Sequence, residues 1–402
     1  MGLLFLTAVL GGAFAAAVAS SFIWLIETIT EYVWETLPEE FSVDPFESWW
    51  LFAVPVVGGA LVGLGQRFLG NYPISIDEAV TKWRTGGQID PRTIPASTFN
   101  SVASLAFGGP VGFEAALTGI VGGAATLVGQ AIGRVRGLVR QAFGVDEYEG
   151  LPPVSRRLPL WLAAVSGLVV YKAIPFGDLD LGFRFADFDG QFDTSDALVV
   201  ATFAALVVVP VSWAIKLVAL AEHATFFRRS PEVIGMAGGL AFALLAAVDP
   251  LVLFSGQQGL QLLPTVDTPE LVYIAIANWL ALCVAVFTGW RGGPVFPIFF
   301  SVAAFATAFD RWFAVDERLV IIGGIAAVSI VFVRGGIVPA FLLSLYVAPI
   351  AFGGVIVIGC VGAACALAIA RPLGLLPAPP ARSDSSSEAH ADAHPADHRS
   401  GD

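Results

Sequence analysis

Long apolar runs with few charges recur along this chain, and they constrain its fold more than any other feature. Several of them approach the ~20 residues that cross a ~30 Å hydrocarbon core as a helix. Backbone polar groups must pair within the segment in lipid, so continuous runs favour helices over the alternating strands of a barrel. The sequence therefore predicts an all-α polytopic membrane protein. The runs cover residues 2–26, 49–65, 102–129, 158–170, 197–220, 233–254, 271–288, 295–308, 319–333 and 337–370.

The composition agrees with a bilayer environment. Hydrophobic residues make up 56% of the 402 residues and charged residues only 13%, which leaves too little polar surface to cover a soluble globule. The formal net charge is -12, and lysine is nearly absent. Such an acidic exterior argues against a nucleic-acid partner. Histidine and cysteine do not occur at the spacing of a metal site, so neither a metal nor a cofactor is predicted.

Charges on the first two connections predict the orientation of the chain. The connection after the first run is acidic and has no lysine or arginine, whereas the next one carries Arg67, Lys82 and Arg92. By the positive-inside rule the second connection faces the cytoplasm, which predicts a cytoplasmic N-terminus and a multi-pass protein of the plasma membrane. Residues 1–375 form the predicted transmembrane domain, and residues 376–402 are predicted to be a disordered acidic tail.

The sequence Gly-Gly-Pro-Val occurs twice, at residues 108–111 and 292–295, once in each half of the chain. Apolar segments broken by glycine and proline at corresponding positions of two halves are typical of an inverted-repeat transporter with its site near the midplane. A single break would be explained better by a kink or by close helix packing, because glycine and proline are both common in membrane helices. The matched pair favours two repeats, at roughly residues 1–190 and 191–375.

Each break is predicted to open a new helix inside the membrane. Such a helix start presents unpaired N–H groups and about half a positive charge, which suits a weakly held anion. A third candidate lies at residues 70–74, where Asn71 adds a side-chain donor, although an ordinary helix stop explains this segment equally well. The candidate anion-binding residues are Asn71, Gly112, Phe113, Ala115, Gly293, Val295 and Phe296.

Glu114 is the one carboxyl group in the middle of an otherwise uncharged apolar region. Ionisable residues in such places are costly, and they are functional by default. A carboxylate at the start of an anion-binding helix is itself an anion and competes for the same site. Protonation would weaken its hold, which makes Glu114 a gate, a proton carrier or both. The alternative is a structural carboxylate that the helix dipole stabilises.

Three motifs in this order and spacing resemble the CLC family of chloride channels and chloride/proton antiporters. Residues 112–116 are similar to the family's Gly-Arg/Lys-Glu-Gly-Pro motif, residues 293–297 to Gly-x-Phe-x-Pro, and residues 70–74 to Gly-Ser-Gly-Ile-Pro. The resemblance covers most of residues 1–375, and residues 167–175 are similar to a fourth family segment. It implies an inverted-repeat CLC-like fold with broken and re-entrant helices. It also implies a homodimer with one pore in each subunit, chloride as the main ion, and Glu114 as the outer gating glutamate.

The departures from the family pattern bear on the mechanism. Asn71 replaces the pore serine, and Arg184 and Phe185 stand where antiporters carry a second glutamate facing the cytoplasm. A passive chloride channel is therefore the favoured hypothesis, and a chloride/proton antiporter is the alternative. The nearby carboxyl groups, none of them at the matching position, are Asp178, Asp180 and Asp187.

An enzyme acting within the membrane is a more remote alternative. Such an enzyme needs a base beside its nucleophile, and His223 is the only histidine before the tail. His223 lies at the edge of a loop, which makes it a poor partner for a buried serine. A purely structural or lipid-binding protein would have no reason to direct two helix starts at one point. The sequence therefore favours transport over catalysis.

Overall fold

The computed structural model describes residues 2–75, 78–79, 82, 89–143, 188, 190–223, 230–257, 259–313, 315–333 and 336–377. Within these residues the chain is built from helices and has no β-strand, which confirms the all-α prediction. The α-helices are α1 Gly2–Glu31, α2 Leu37–Glu40, α3 Trp50–Leu69, α4 Ile94–Leu105, α5 Glu114–Phe143, α6 Thr194–His223, α7 Pro231–Ala246, α8 Thr268–Phe287, α9 Val295–Asp310, α10 Glu317–Phe332, α11 Ile337–Val347 and α12 Gly353–Ala370. A π-helical turn, Tyr32–Thr36, joins α1 to α2, and 3-10 turns occur at Pro91–Thr93, Pro250–Val252, Gly259–Thr265 and Ile350–Phe352.

The described residues include five helical segments that are long and apolar enough to cross a membrane. They are Val9–Glu40, Trp50–Leu69, Thr194–Ala221, Thr268–Phe287 and Ile350–Ala370. Two other apolar helices, α7 and α9, have 16 residues each. At 1.5 Å per residue such a helix is about 24 Å long, which is shorter than the ~30 Å hydrocarbon core. The chain is therefore a multi-spanning membrane protein that also contains shortened helices.

Two of the predicted apolar runs are interrupted in the structure. The run at 102–129 divides into α4 and α5, as the Gly/Pro break indicated. The run at 337–370 was predicted without a break, yet it divides into α11 and α12 around Pro349. Proline cannot donate a backbone hydrogen bond and disfavours helical geometry in the residue before it, so α11 ends at Val347. The predictions that concern residues 158–187 and the tail from 378 onward lie outside the described residues.

Helices α3 and α7, one from each half of the chain, pack with their backbones in contact. A methyl group added at Gly59 would collide with the carbonyl of Gly235, and one added at Gly239 would collide with the carbonyl of Pro55. Small residues four positions apart allow this close approach between membrane helices. At the end of the same pair, Arg67 and Glu232 form an ion pair at 3.0 Å.

The interior of the second half is formed by α9 and α10. Nearly every residue of α9 is buried, and so is every residue of α10 from Leu319 to Ile330. A helix that is apolar on all sides is stable only when other helices or lipid surround it. Here α6, α8 and α12 pack around the two helices, so α9 begins deep inside the protein. This burial positions the candidate site.

Candidate functional site

The helices before the two breaks end in the same way. After α4, Gly108 has a φ of +85° and the N–H of Gly109 donates to the carbonyl of Ser104 at 2.9 Å. After α8, Gly289 has a φ of +87° and the N–H of Trp290 donates to the carbonyl of Ala285 at 2.8 Å. A left-handed glycine that ends a helix reverses the chain direction at low cost. The two breaks are therefore equivalent in conformation.

Gly112 and Gly293 join the two breaks directly. The N–H of Gly112 donates to the carbonyl of Gly293 at 2.7 Å, and the N–H of Gly293 donates to the carbonyl of Gly112 at 2.6 Å. This antiparallel bridge makes Gly112 the counterpart of Gly293, and the helix starts at Glu114 and Val295 follow at the same distance along the chain. The predicted correspondence of the two Gly-Gly-Pro-Val sequences is therefore wrong in register. Val295 begins α9, whereas Val111 still lies in the turn before α5.

The carboxyl group of Glu114 caps the start of α9. Its Oε1 accepts hydrogen bonds from the N–H of Val295 at 2.6 Å and the N–H of Phe296 at 3.2 Å. Both donors belong to the first turn of α9, where N–H groups have no partner within the helix and the helix dipole favours negative charge. The second oxygen, Oε2, is buried and has no hydrogen-bond partner among the described residues.

Glycines leave the space that this carboxyl group occupies. A methyl group added at Gly112 would collide with Oε2 of Glu114, and one added at Gly293 would collide with Cδ of the same side chain. Any residue other than glycine at either position would therefore fill the pocket in front of the α9 start. The breaks need glycine at these two positions because the Glu114 carboxyl group occupies the space that a side chain would take.

Apolar side chains surround the carboxyl group. The rings of Phe113 and Phe296 lie with their centroids 5.0 Å apart, and both side chains are buried. Ala115, in the first turn of α5, is buried as well. Trp290 is buried behind the second break, and its Nε1 donates to the carbonyl of Gly235 at 3.0 Å. The carboxyl group of Glu114 thus lies among apolar side chains, and its hydrogen bonds to α9 come from backbone N–H groups.

Asn71 lies on the loop after α3 and is not a hydrogen-bond partner of the Glu114 carboxyl group. It is exposed, and the hydrogen bonds of the Glu114 carboxyl group involve no residue of its loop. The structure thus brings together six of the predicted anion-site residues and leaves Asn71 on a separate loop after α3. The predicted roles of all these residues in binding an anion stay predictions. No group of three or more metal-ligating side chains occurs among the residues that the structure describes.

Sequence reasoning missed Ser104. Its carbonyl accepts from Gly109 in the first break, and its Oγ accepts from the N–H of Arg291 in the second break at 2.8 Å. It is fully buried on α4. The available signal was a polar stripe at helical spacing on α4, formed by the buried residues Ser97, Asn100, Ser101 and Ser104. A helix in the interior with such a stripe usually uses it for hydrogen bonds to other elements.

Comparison with solved structures identifies the fold. A slow cyanobacterial Cl-/H+ antiporter has a TM-score of 0.72 with 14% sequence identity, and the alignment covers 91% of this chain and 95% of that one. A CLC-type fluoride/proton antiporter has a TM-score of 0.63 with 16% identity over 90% of this chain and 94% of that one. This chain has the CLC fold. The motif resemblance and the predicted inverted-repeat CLC-like architecture are confirmed at this level.

Two further comparisons also extend over most of this chain. A eukaryotic CLC transporter has a TM-score of 0.62 with 15% identity, and the alignment covers 90% of this chain and 71% of that one. Curated Escherichia coli proteins named "Putative ion-transport protein YfeO" are 22% identical over 369 residues, which is 83% of this chain and 87% of theirs. No family model matches the chain. The similarity thus covers most of the chain, although the sequence identity is low.

Proposed function

We propose that this protein transports small inorganic anions, chloride foremost, across the plasma membrane, and that the side chain of Glu114 is its gate. The observation that carries the proposal is the pair of hydrogen bonds from the N–H groups of Val295 and Phe296 to Oε1 of Glu114. The carboxylate occupies a set of donors that would suit a halide equally well, because both are anions at a helix start. Gate and transported ion therefore compete for one site.

The proposed site would hold an anion weakly enough to release it. Among the described residues Glu114 forms no ion pair, and the donors in front of it are backbone N–H groups. Conduction requires binding that is favourable on entry and weak enough on exit. A lysine or arginine at this point would supply a full countercharge and slow the release. Backbone donors combined with a movable carboxylate avoid that cost.

Two modes of transport follow from such a gate. In the first, the side chain swings away and anions pass down their gradient, which is the channel hypothesis that the missing second glutamate favoured. In the second, Glu114 takes up a proton when it leaves the site and exchanges it for an anion. The names of two structural relatives, a Cl-/H+ antiporter and a fluoride/proton antiporter, favour this second mode. Asp178, Asp180 and Asp187, the neighbouring candidates for an inner proton acceptor, lie outside the described residues.

Efflux from liposomes tests the proposal. The purified protein is reconstituted in vesicles loaded with potassium chloride, a potassium ionophore removes the membrane potential, and chloride and pH are recorded with and without a protonophore. We expect Glu114→Gln to release chloride about tenfold faster than the native chain, because the two hydrogen bonds to Oε1 lose their charge and are weakened by ~1.5 kcal/mol together. Lowering the pH should accelerate the native chain towards the rate of the variant.

Glu232→Gln is the matched control. Glu232 also lies in the first turn of a short apolar helix, α7, but its side chain pairs with Arg67 and caps neither helix start at the breaks. Its variant should keep the native rate and pH dependence. A native chain that moves neither chloride nor fluoride would refute anion transport. Proton uptake driven uphill by a chloride gradient, and lost in Glu114→Gln, would favour exchange over the channel.

The proposal includes the assembly and orientation that the family resemblance and the charge pattern imply. We propose a homodimer with one anion path in each subunit and a cytoplasmic N-terminus. Light scattering of the protein in detergent measures the assembly, and a monomer at working concentration would refute it. Protease accessibility of the N-terminus in sealed vesicles measures the orientation.

A further inference from the structure

Asn100 joins helix α4 to the loop that follows α3. The amide Nδ2 of Asn100 donates to the carbonyl of Gly70 at 3.0 Å and to the carbonyl of Tyr72 at 2.7 Å. The residue is 0% exposed, although the loop residue Asn71 between its two partners is exposed. A single buried amide thus binds both sides of a loop turn.

The position of this amide is determined from two directions. On one side the two loop carbonyls require a donor, because carbonyl oxygens repel another acceptor. On the other side the absent side chain of Gly65 on α3 leaves a slot, since a methyl group added there would collide with Oδ1 of Asn100. Oδ1 itself is buried and has no hydrogen-bond partner among the described residues. The slot therefore orients the amide, and the amide orients the loop.

This contact sets the direction of a backbone donor. In a trans peptide the carbonyl and the following N–H point in opposite directions. Because the carbonyl of Gly70 is held toward Asn100, the N–H of Asn71 points away from α4. The N–H of Tyr72 donates to the carbonyl of Gly70 at 2.9 Å and is therefore already bonded within the loop. The Asn71 backbone and side-chain donors are thus presented on the exposed side of the loop.

Asn100 and Ser104 lie four residues apart on one face of α4. Ser104 holds both breaks at the Glu114 site through the N–H groups of Gly109 and Arg291. One turn away, Asn100 holds the Asn71 loop. The same rigid helix therefore connects the two places where the sequence predicts an anion.

We propose that Asn100 is a positioning residue for anion binding at the Asn71 loop, an inference that rests on the proposed function. It does not touch the anion. It keeps the Asn71 donors directed at the path, so that losing it weakens anion binding at this end of the path while the gate at Glu114 keeps working.

The test compares Asn100→Leu with Ser101→Ala. Leucine has the same branched arrangement of side-chain heavy atoms as asparagine and cannot donate to the loop carbonyls. Ser101 is the neighbouring residue on α4, it is equally buried, and its Oγ has no partner among the described residues, which makes it a matched control. Gly65→Ala provides a second variant, because its methyl group displaces the same amide from the opposite helix.

Two readouts are measured for each variant. Hydrogen exchange followed by mass spectrometry reports on the peptide spanning residues 69–75, where losing two hydrogen bonds should speed exchange at least about tenfold in Asn100→Leu. Chloride flux into vesicles gives a half-saturating concentration and a maximal rate, with chloride supplied at the face carrying the α3–α4 connection. We expect the half-saturating concentration to rise about fivefold to tenfold and the maximal rate to change less than about twofold.

Gly65→Ala should reproduce this pattern, and Ser101→Ala should match the native chain in both readouts. The proposal would be overturned if the peptide spanning residues 69–75 exchanged hydrogen at the native rate in both Asn100→Leu and Gly65→Ala. Faster exchange with unchanged half-saturation would overturn it as well, because the loop would then be held for stability alone. A native chain without any halide flux would instead refute the proposed function, which separates the two failures.

Discussion

Gly112 and Gly293 exchange two backbone hydrogen bonds, at 2.7 Å and 2.6 Å, and so bind the broken segment of the first half to that of the second. The start of α5, which supplies the carboxyl group of Glu114, is thereby held against the start of α9, which supplies its donors. The two backbones cannot separate without breaking this bridge. Motion of the gate is therefore expected in the Glu114 side chain, with the helices remaining in place.

A methyl group at Gly293 should block the site. Gly293→Ala adds a carbon in the space that the Glu114 carboxyl group now fills, and a halide at the α9 start needs the same space. We expect Gly293→Ala to lower chloride flux in vesicles at least about tenfold relative to the native chain, since overpacking costs ~1–3 kcal/mol. The double variant with Glu114→Gln should be slower than Glu114→Gln alone by the same factor.

Gly129→Ala is the control for this substitution. A methyl group there meets no atom within 4 Å, so the same change of glycine to alanine is tested in open space on α5. Its flux should equal that of the native chain. If Gly293→Ala instead accelerates chloride release as Glu114→Gln does, displacement of the gate outweighs obstruction, and the shared-space argument is wrong.

The backbone contact between α3 and α7 should be sensitive to a single methyl group. Gly59→Ala forces a carbon against the carbonyl of Gly235, where no flexible side chain is available to move aside. We expect a loss of about 1–3 kcal/mol in stability, seen as a lower melting temperature in detergent. Arg67→Ala is the control, because Arg67 lies on the same helix pair and forms an exposed ion pair with Glu232. Its loss should change the melting temperature little, since such pairs contribute ~0–1 kcal/mol. Equal melting temperatures for the two variants would contradict this interpretation of the contact.

Asp316 should contribute a pH-dependent part of the stability. Its Oδ1 accepts from the N–H of Arg318 at 3.0 Å at the start of α10, and the hydrogen bond from the Arg318 side chain lowers the pKa of Asp316. Because the folded-state pKa is depressed, this stabilisation is complete above the unfolded pKa of ~3.9 and is lost as the pH falls through the lower folded value. Asp316→Ala should cost about 1 kcal/mol at neutral pH, and Asp316→Asn, which can still cap the helix, should cost less.

Melting temperatures of both Asp316 variants across a pH series in detergent measure this effect. The native chain and Asp316→Ala should differ by a constant amount above about pH 5 and converge on acidification, since protonation removes the charge-assisted bond. A difference that persists unchanged below about pH 2 would mean that the cap acts without the charge.

Much of the candidate site could be predicted from the order of residues along the chain. A lone glutamate in an apolar run, followed much later by a second Gly/Pro break, indicated which segments would meet, since charge and helix breaks inside a membrane are costly enough to mark a site. The register of the meeting could not be predicted. Both Gly-Gly-Pro-Val sequences look alike, yet the structure pairs Gly112 with Gly293, because the left-handed glycines at 108 and 289 decide where each chain turns.

Residues that act through hydrogen bonds to a backbone far away in the sequence could not be predicted. Asn100 and Ser104 are ordinary polar residues in a short helix, and nothing local indicates that their partners lie at Gly70, Tyr72 and Arg291. Such contacts join segments separated by up to 187 positions. Helix pattern and composition carry information over a few helical turns only. Hydrogen-bond partners that are so far apart in the sequence can therefore be identified only in the folded chain.

The sequence by itself determined the bilayer as solvent, the helical class of the fold, the two Gly/Pro breaks at residues 108–111 and 292–295, and Glu114 as the charged group beside the first of them. It did so because hydrocarbon excludes unpaired backbone groups and charges, which restricts an apolar chain to few solutions. Only the tertiary structure decided that the carboxyl group of Glu114 lies on the donors of α9 and that glycines at 112 and 293 leave room for it. Those contacts depend on distances of a few ångströms between segments far apart in the chain, which helix packing alone establishes.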